Sequence, residues 1–148
     1  MIVSLHVATG AAAGAACRSR RAAMAIGAVL HALGDRVPHM DIASRPFEIG
    51  SGGAILAALA LRHGPFAPAT IGALASSAPD LEHVLPFPRP RGRKLFPSHR
   101  VSGWHRAGGL STSAQLVAAG VLAGLVLGAQ RRSSSAGSTS NASKRPSL

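Results

Sequence analysis

The feature that most constrains the fold is residues 107–130, a run of 24 residues without a charged side chain. As a helix, this run is long enough to cross the hydrocarbon core of a bilayer, which is about 30 Å thick. Glycine recurs along it at every fourth position, at Gly120, Gly124 and Gly128. Small residues at this spacing let a second helix approach closely. The run therefore predicts a membrane-spanning helix with a glycine ridge suited to an oligomer contact; the alternative is a buried helix.

Composition favours helices and argues against nucleic acid as a partner. Hydrophobic residues make up 47% of the chain but aromatic residues only 3%, and the apolar residues are mostly Ala and Leu, which suit close-packed helices. The lone Cys17 excludes an intramolecular disulfide framework and a Cys-based zinc finger. The net charge of +11 attracts polyanions and anionic membrane surfaces. Nucleic-acid-binding proteins, however, usually add the aromatic stacking platforms that this chain lacks.

The charge-free stretches divide the chain into helices and a tail. Four further apolar stretches predict helices at 1–17, 22–33, 49–61 and 68–78. With the last run, they predict one domain over residues 1–130: an all-α, membrane-embedded bundle of four or five helices. Residues 131–148 are basic and rich in Ser, which is typical of a disordered tail.

The acidic residues point to a metal site. The chain has only five, and four of them lie within four positions of a histidine. On helices, His31 and Asp35 share a face at a spacing of four, and Asp80 and His83 share one at a spacing of three. Imidazole and carboxylate groups bind divalent ions, among which Zn²⁺ is the commonest choice. Neighbouring segments add His39, Asp41, His99 and His105.

Two antiparallel hairpins would gather these residues at one end of the bundle. The first turns at residues 18–21 and places His6 level with His31, and the second turns at residues 63–65, which leaves His63 at the opposite end. The leading candidate ligands are His31, Asp35, Asp80 and His83, followed by His6, His39, Asp41, His99 and His105. Nine candidates exceed one tetrahedral zinc ion, so two ions and one ion with hydrogen-bonded partners both stay open. In the alternative without metal, the acids only balance nearby arginines.

Three motifs resemble those of the small bacterial membrane-bound metal-dependent hydrolases. They are the early His6 in an Ala/Gly helix, the series His31-x3-Asp35-x3-His39-x-Asp41, and Pro79-Asp80-Leu81-Glu82-His83. The segment 96–100, followed by Trp104-His105-Arg106, is similar to a later motif of that family. The resemblance covers about residues 1–130 and implies an integral protein of the bacterial inner membrane with hydrolase activity.

These observations combine into one functional prediction. We expect a membrane-bound hydrolase in which a divalent metal, zinc or else manganese, activates water against an ester or phosphoester. Glu82 is the candidate general base, and Arg100 and Arg106 would hold an anionic small-molecule or lipid substrate or stabilise developing negative charge. The alternative is a non-catalytic integral membrane protein whose His/Asp cluster is structural or serves an interaction. The lipid bilayer is the expected partner in both cases.

Overall fold

A computed structural model of the protein describes residues 1–129, in which every regular element is helical. The six α-helices are α1 (Val3–Ala16), α2 (Arg20–Gly34), α3 (Arg45–His63), α4 (Pro68–Ser77), α5 (Pro97–Arg100) and α6 (Thr112–Gly128). Two short 3₁₀-helices, Ala78–His83 and Pro90–Gly92, lie between α4 and α5. The helical class expected from the composition therefore holds for these residues. The predicted disordered tail, 131–148, lies outside them.

Helix α1 lies at the centre of the bundle and packs against α2, α3, α4 and α6. Its residues are small and mostly apolar on all sides, which is the pattern of a helix buried all round. One core cluster joins it to α3, α4 and the end of α6: Val7, Ala11, Leu59, Ala69, Ala73 and Val126. A second joins it to α6: Ile2, Leu5, Ala8, Ala119 and Ala123. The core therefore consists largely of short side chains between closely spaced helices.

Glycines allow α4 to pack directly against the backbones of both α1 and α2. A Cβ atom at Gly72 of α4 would overlap the carbonyl oxygen of Gly10 in α1. A Cβ atom at Gly27 of α2 would overlap the carbonyl oxygen of Gly72. Because Gly72 of α4 contacts both helices, α1, α2 and α4 are in backbone contact at the same height along the bundle.

The charge-free run 107–130 is not one helix, because residues 107–111 form a non-helical segment before α6. Gly108 and Gly109 have φ angles of 93° and 75°, in the region that favours glycine. The amide of Leu110 donates to the carbonyl of Pro38, and the amide of Met40 donates to that of Leu110, each at 2.9 Å. Ser111 then caps α6, its hydroxyl accepting from the Ala114 amide at 3.2 Å.

No helix in the described part of the chain is both long and apolar enough to cross a membrane. Helix α6 has 17 residues, which at about 1.5 Å per residue span about 26 Å, less than the hydrocarbon core. Helix α3 has 19 residues but carries Arg45, Glu48 and Arg62. The predictions of a membrane-embedded bundle and of an inner-membrane location are therefore wrong.

The glycine ridge of α6 makes no close contact within residues 1–129. A Cβ atom added at any of its three glycines would meet no atom within 4 Å, which holds for Gly120, Gly124 and Gly128. The oligomer contact expected there stays a prediction.

Candidate metal centre

The carboxylate of Asp35 is the centre of a buried cluster of histidines. Asp35 follows the last residue of α2 and is fully buried. Its Oδ1 accepts a hydrogen bond from His6 Nε2 on α1, at 3.0 Å. The α-amino group of Met1 also donates to this oxygen, at 3.2 Å. Within residues 1–129 the ion-pair partners of Asp35 are the Met1 amino group and histidines. A buried carboxylate requires such partners, because burying a bare charge is costly.

The second oxygen of Asp35, Oδ2, faces three imidazole nitrogens. It lies 3.0 Å from His31 Nε2, 3.2 Å from His105 Nε2 and 3.6 Å from His99 Nε2. Of these atoms, Asp35 Oδ2, His31 Nε2 and His99 Nε2 are buried and make no hydrogen bond within the described residues. Two ligands of a tetrahedral zinc ion, bound at about 2.0–2.1 Å, are about 3.3 Å apart. The spacing around Oδ2 is therefore that of a ligand shell.

The other ring nitrogen of each buried histidine is held by the protein. His31 Nδ1 lies 2.9 Å from the carbonyl oxygen of Ser76, at the end of α4, and donates to it. His99 Nδ1 donates to the carboxylate of Glu82. In both rings the proton therefore resides on Nδ1, and the lone pair of Nε2 points into the cluster. Metal-binding histidines usually have such a partner behind them.

Asp80 brings a second carboxylate to the cluster from the 3₁₀-helix Ala78–His83. In a 3₁₀-helix, residues three apart are aligned, so Asp80 and His83 share a side, as their spacing predicts. Asp80 Oδ1 lies 3.9 Å from His99 Nε2, while Oδ2 is buried without a hydrogen bond. His83 is exposed, and its ring centre lies 4.4 Å from that of His99.

The structure forms three groups whose ligand atoms lie within 4.8 Å of one another. They are His31, Asp35 and His99; His6, His31 and Asp80; and Asp80, His83 and His99. Buried His and Asp groups thus lie close enough to hold a metal ion. Each of the four leading candidates belongs to at least one of these groups, but none of the three contains all four, and His6 and His99 complete them.

Burial sets the protonation states in the cluster. It raises the pKa of Asp80 to about 6 and lowers the pKa of His6 to about 4. Partial loss of solvent around the ring of His83, together with the nearby charges of His99 and Lys94, lowers the pKa of that residue to about 4. Burial alone would raise the pKa of Asp35, but the surrounding imidazoles, His31 first, hold it far below its ordinary value. Asp35 is therefore ionised, as a carboxylate ligand of a divalent ion must be. Burial opposes the charged form of His99, but the Asp35 and Glu82 carboxylates beside it raise its pKa overall.

The remaining candidate ligands lie at the edge of the cluster. His105 is half-exposed, and the loop before it is anchored to α2 by Trp104, whose indole NH donates to the carbonyl of Ala32 at 2.9 Å. His39 donates from Nδ1 to the carbonyl of Val37 at 2.7 Å, and its Nε2 lies 3.3 Å from the exposed Asp41. His39 and Asp41 thus form a wall of the site and belong to none of the three groups. His63 lies away from the cluster, 3.0 Å from the Val126 carbonyl.

The residues predicted to act in catalysis are placed differently from what we expected. Glu82 is buried, and both its oxygens are occupied, since it also accepts from the Leu95 amide at 2.8 Å. Arg100 donates to the carbonyl of Lys94. Arg106 is exposed, and its carbonyl accepts from the His39 amide at 3.2 Å. Glu82 therefore supports His99, and these contacts place neither Arg100, at the end of α5, nor Arg106 against the cluster. The catalytic roles assigned from sequence stay predictions.

A cavity of about 520 Å³ opens beside the cluster. Its wall contains two cations, Arg45 and Lys94, and six of the nine candidate ligands: His39, Asp41, Asp80, His83, His99 and His105. No sequence pattern pointed to Arg45 or Lys94 as lining a site, because Arg45 stands apart from the other basic residues and Lys94 ends the basic run 89–94. Among the described residues that line the cavity, Arg100 and Arg106 are absent.

Comparisons with known proteins add no family. No family model, curated protein or solved structure matches the chain.

Proposed function

We propose that the protein binds divalent metal in the cluster around Asp35 and uses it to hydrolyse an ester or phosphoester. One observation carries the proposal. Three buried ligand atoms, one each from Asp35, His31 and His99, face each other without hydrogen bonds. Unpartnered buried polar atoms cost free energy, and a cation among them would remove that cost.

Zinc fits this set of donors best. Imidazole nitrogen and carboxylate oxygen are ligands that zinc commonly takes, and four ligands complete its usual shell. Manganese is the second choice, because it accepts a larger share of carboxylate oxygens. The fixed Nδ1 protons on His31 and His99 present neutral Nε2 donors to either ion.

The adjoining cavity favours catalysis over a purely structural metal. Structural zinc sites are closed by four protein ligands, whereas catalytic sites keep a position open. Here His99 and His105 belong to both the cluster and the cavity wall. A bound divalent ion would lower the pKa of water and polarise the scissile group. Lys94 and Arg45 in the same wall would bind the negative charge of the substrate.

Metal analysis tests the binding. The purified protein is incubated with zinc, dialysed and analysed by elemental mass spectrometry, next to Asp35→Asn and the control Asp41→Asn. We expect bound zinc in the wild type and the control, and its loss in Asp35→Asn, since Asp41 is exposed and belongs to no ligand group. Wild-type protein that retains no zinc or manganese would refute the proposal.

Turnover tests the hydrolysis separately. The zinc-loaded protein is assayed with p-nitrophenyl acetate and bis(p-nitrophenyl) phosphate, with and without a chelator. We expect cleavage of at least one compound that is lost with the chelator and in Asp35→Asn. Zinc binding without any cleavage would contradict the hydrolase function and leave a non-catalytic metal protein.

A further inference from the structure

The geometry points to a centre for two metal ions, with Asp80 shared between them. This inference rests on the proposed metal binding and replaces the single group of His31, Asp35 and His99 by two groups of ligands, with Asp35 between them. One ion would be held by His6, His31 and Asp80, and the other by Asp80, His83 and His99.

The lone pairs of the histidine nitrogens and carboxylate oxygens limit how many ions these residues can bind. A ring nitrogen has one lone pair and binds one ion, whereas a carboxylate has two oxygens and can bind two. His31 and His99 each have only Nε2 available, because their Nδ1 atoms donate to Ser76 and Glu82. Any two ligand groups that share one of these histidines therefore compete for it.

Only two of the three ligand groups can each hold a metal ion at the same time. The group of His31, Asp35 and His99 uses both histidines and excludes each of the other two groups. Those other two groups share only Asp80. They can therefore be occupied at the same time, because Asp80 can give one oxygen to each ion.

Five side-chain atoms of the cluster are buried and make no hydrogen bond within the described residues. They are His6 Nδ1, His31 Nε2, Asp35 Oδ2, Asp80 Oδ2 and His99 Nε2. A single ion at Asp35 would leave His6 Nδ1 and Asp80 Oδ2 buried and unpartnered, which is unfavourable. Two ions would coordinate His6 Nδ1 and Asp80 Oδ2 as well.

Asp35 occupies the position of a second bridge. Its Oδ1 lies 3.0 Å from His6, and its Oδ2 lies 3.0 Å from His31 and 3.6 Å from His99. The carboxylate thus lies between the histidines of both groups. A negative carboxylate between two cations reduces their mutual repulsion.

Metal stoichiometry tests the inference without reference to activity. The protein is titrated with zinc, and bound metal per chain is measured for the wild type, His6→Ala, His83→Ala and the control His63→Ala, since His63 lies away from the cluster. We expect two ions in the wild type and the control, and one in each histidine variant. The exposed position of His83 makes its substitution tolerable for folding.

Electron paramagnetic resonance of the manganese-loaded wild type measures directly whether two bound ions are coupled. Two ions with a shared carboxylate give an exchange-coupled spectrum, and His83→Ala should give the six-line spectrum of an isolated ion. One ion per wild-type chain, unchanged by His83→Ala, would overturn the two-ion centre while the proposed metal binding stands. No bound ion at all would refute the proposed function itself.

Discussion

Replacing Asp80 by Asn should change stability in opposite directions with and without metal. In the metal-free protein, burial raises the pKa of Asp80 to about 6, compared with about 3.9 in an unfolded chain. The folded state therefore retains a proton between pH 4 and 6 that the unfolded state releases. Stability falls as the pH rises through this window, and the loss is complete above pH 6.

The size of the effect follows from the two pKa values. A difference of about two units corresponds to about 3 kcal/mol at pH 7. Asp80→Asn has no charge to bury, so the metal-free variant should be more stable than the wild type by up to that amount at pH 7. At pH 4 Asp80 is protonated in the folded wild type, and the two proteins should be nearly equal.

With zinc present, the order should reverse. Ligand binding to the folded state stabilises it by about 2.7 kcal/mol at a concentration 100 times the dissociation constant. Asp80→Asn removes a ligand oxygen and most of that gain. Urea unfolding at pH 4 and pH 7, with chelator and with zinc, measures all four cases, and Asp41→Asn serves as the exposed control. An Asp80→Asn variant less stable than the wild type in chelator at pH 7 would refute the reasoning.

Three further predictions concern the surroundings of the cluster. Glu82→Gln should weaken zinc binding by about 10–100-fold in a chelator competition, because Glu82 orients the ligand histidine His99. Unchanged zinc affinity with lost turnover would instead indicate that Glu82 is a general base. Gly72→Ala should destabilise the fold by about 1–3 kcal/mol in thermal unfolding, since its Cβ would overlap the Gly10 carbonyl. The control Gly53→Ala, whose Cβ would meet nothing within 4 Å, should be neutral or stabilising. Acidification from pH 7 to 4 should release zinc, measured by dialysis, because protons compete for the imidazole lone pairs.

The helices were predictable because their boundaries are marked in the sequence. Each predicted stretch ends near glycine, proline or a group of arginines, and the spacing of His31 with Asp35 depends only on local geometry. The non-helical conformation of residues 107–111 was not predictable in this way. Their apolar composition is the same in a helix as in a loop, and their partner, residues 38–40, lies about 70 positions earlier.

The role of Glu82 could not be predicted from the sequence either. On an α-helix, Glu82 would point away from the side shared by Asp80 and His83. In the structure Glu82 belongs to a 3₁₀-helix instead, and its carboxylate accepts from His99 Nδ1. Residues 84–96 return the chain so that His99 meets Glu82. Only this long-range contact shows that Glu82 supports a histidine.

The glycine contact and the metal cluster belong to one arrangement. Gly10, Gly27 and Gly72 meet where α1, α2 and α4 converge. His6, His31 and Ser76 each lie four residues, about one helical turn, from one of these glycines, in the direction of Asp35. The close approach of the backbones therefore sets the distance between His6 and Asp35, and between His31 and the Ser76 carbonyl. A larger residue at the glycine contact would separate the ligands as well as the helices, so stability and metal affinity should fall together in Gly72→Ala.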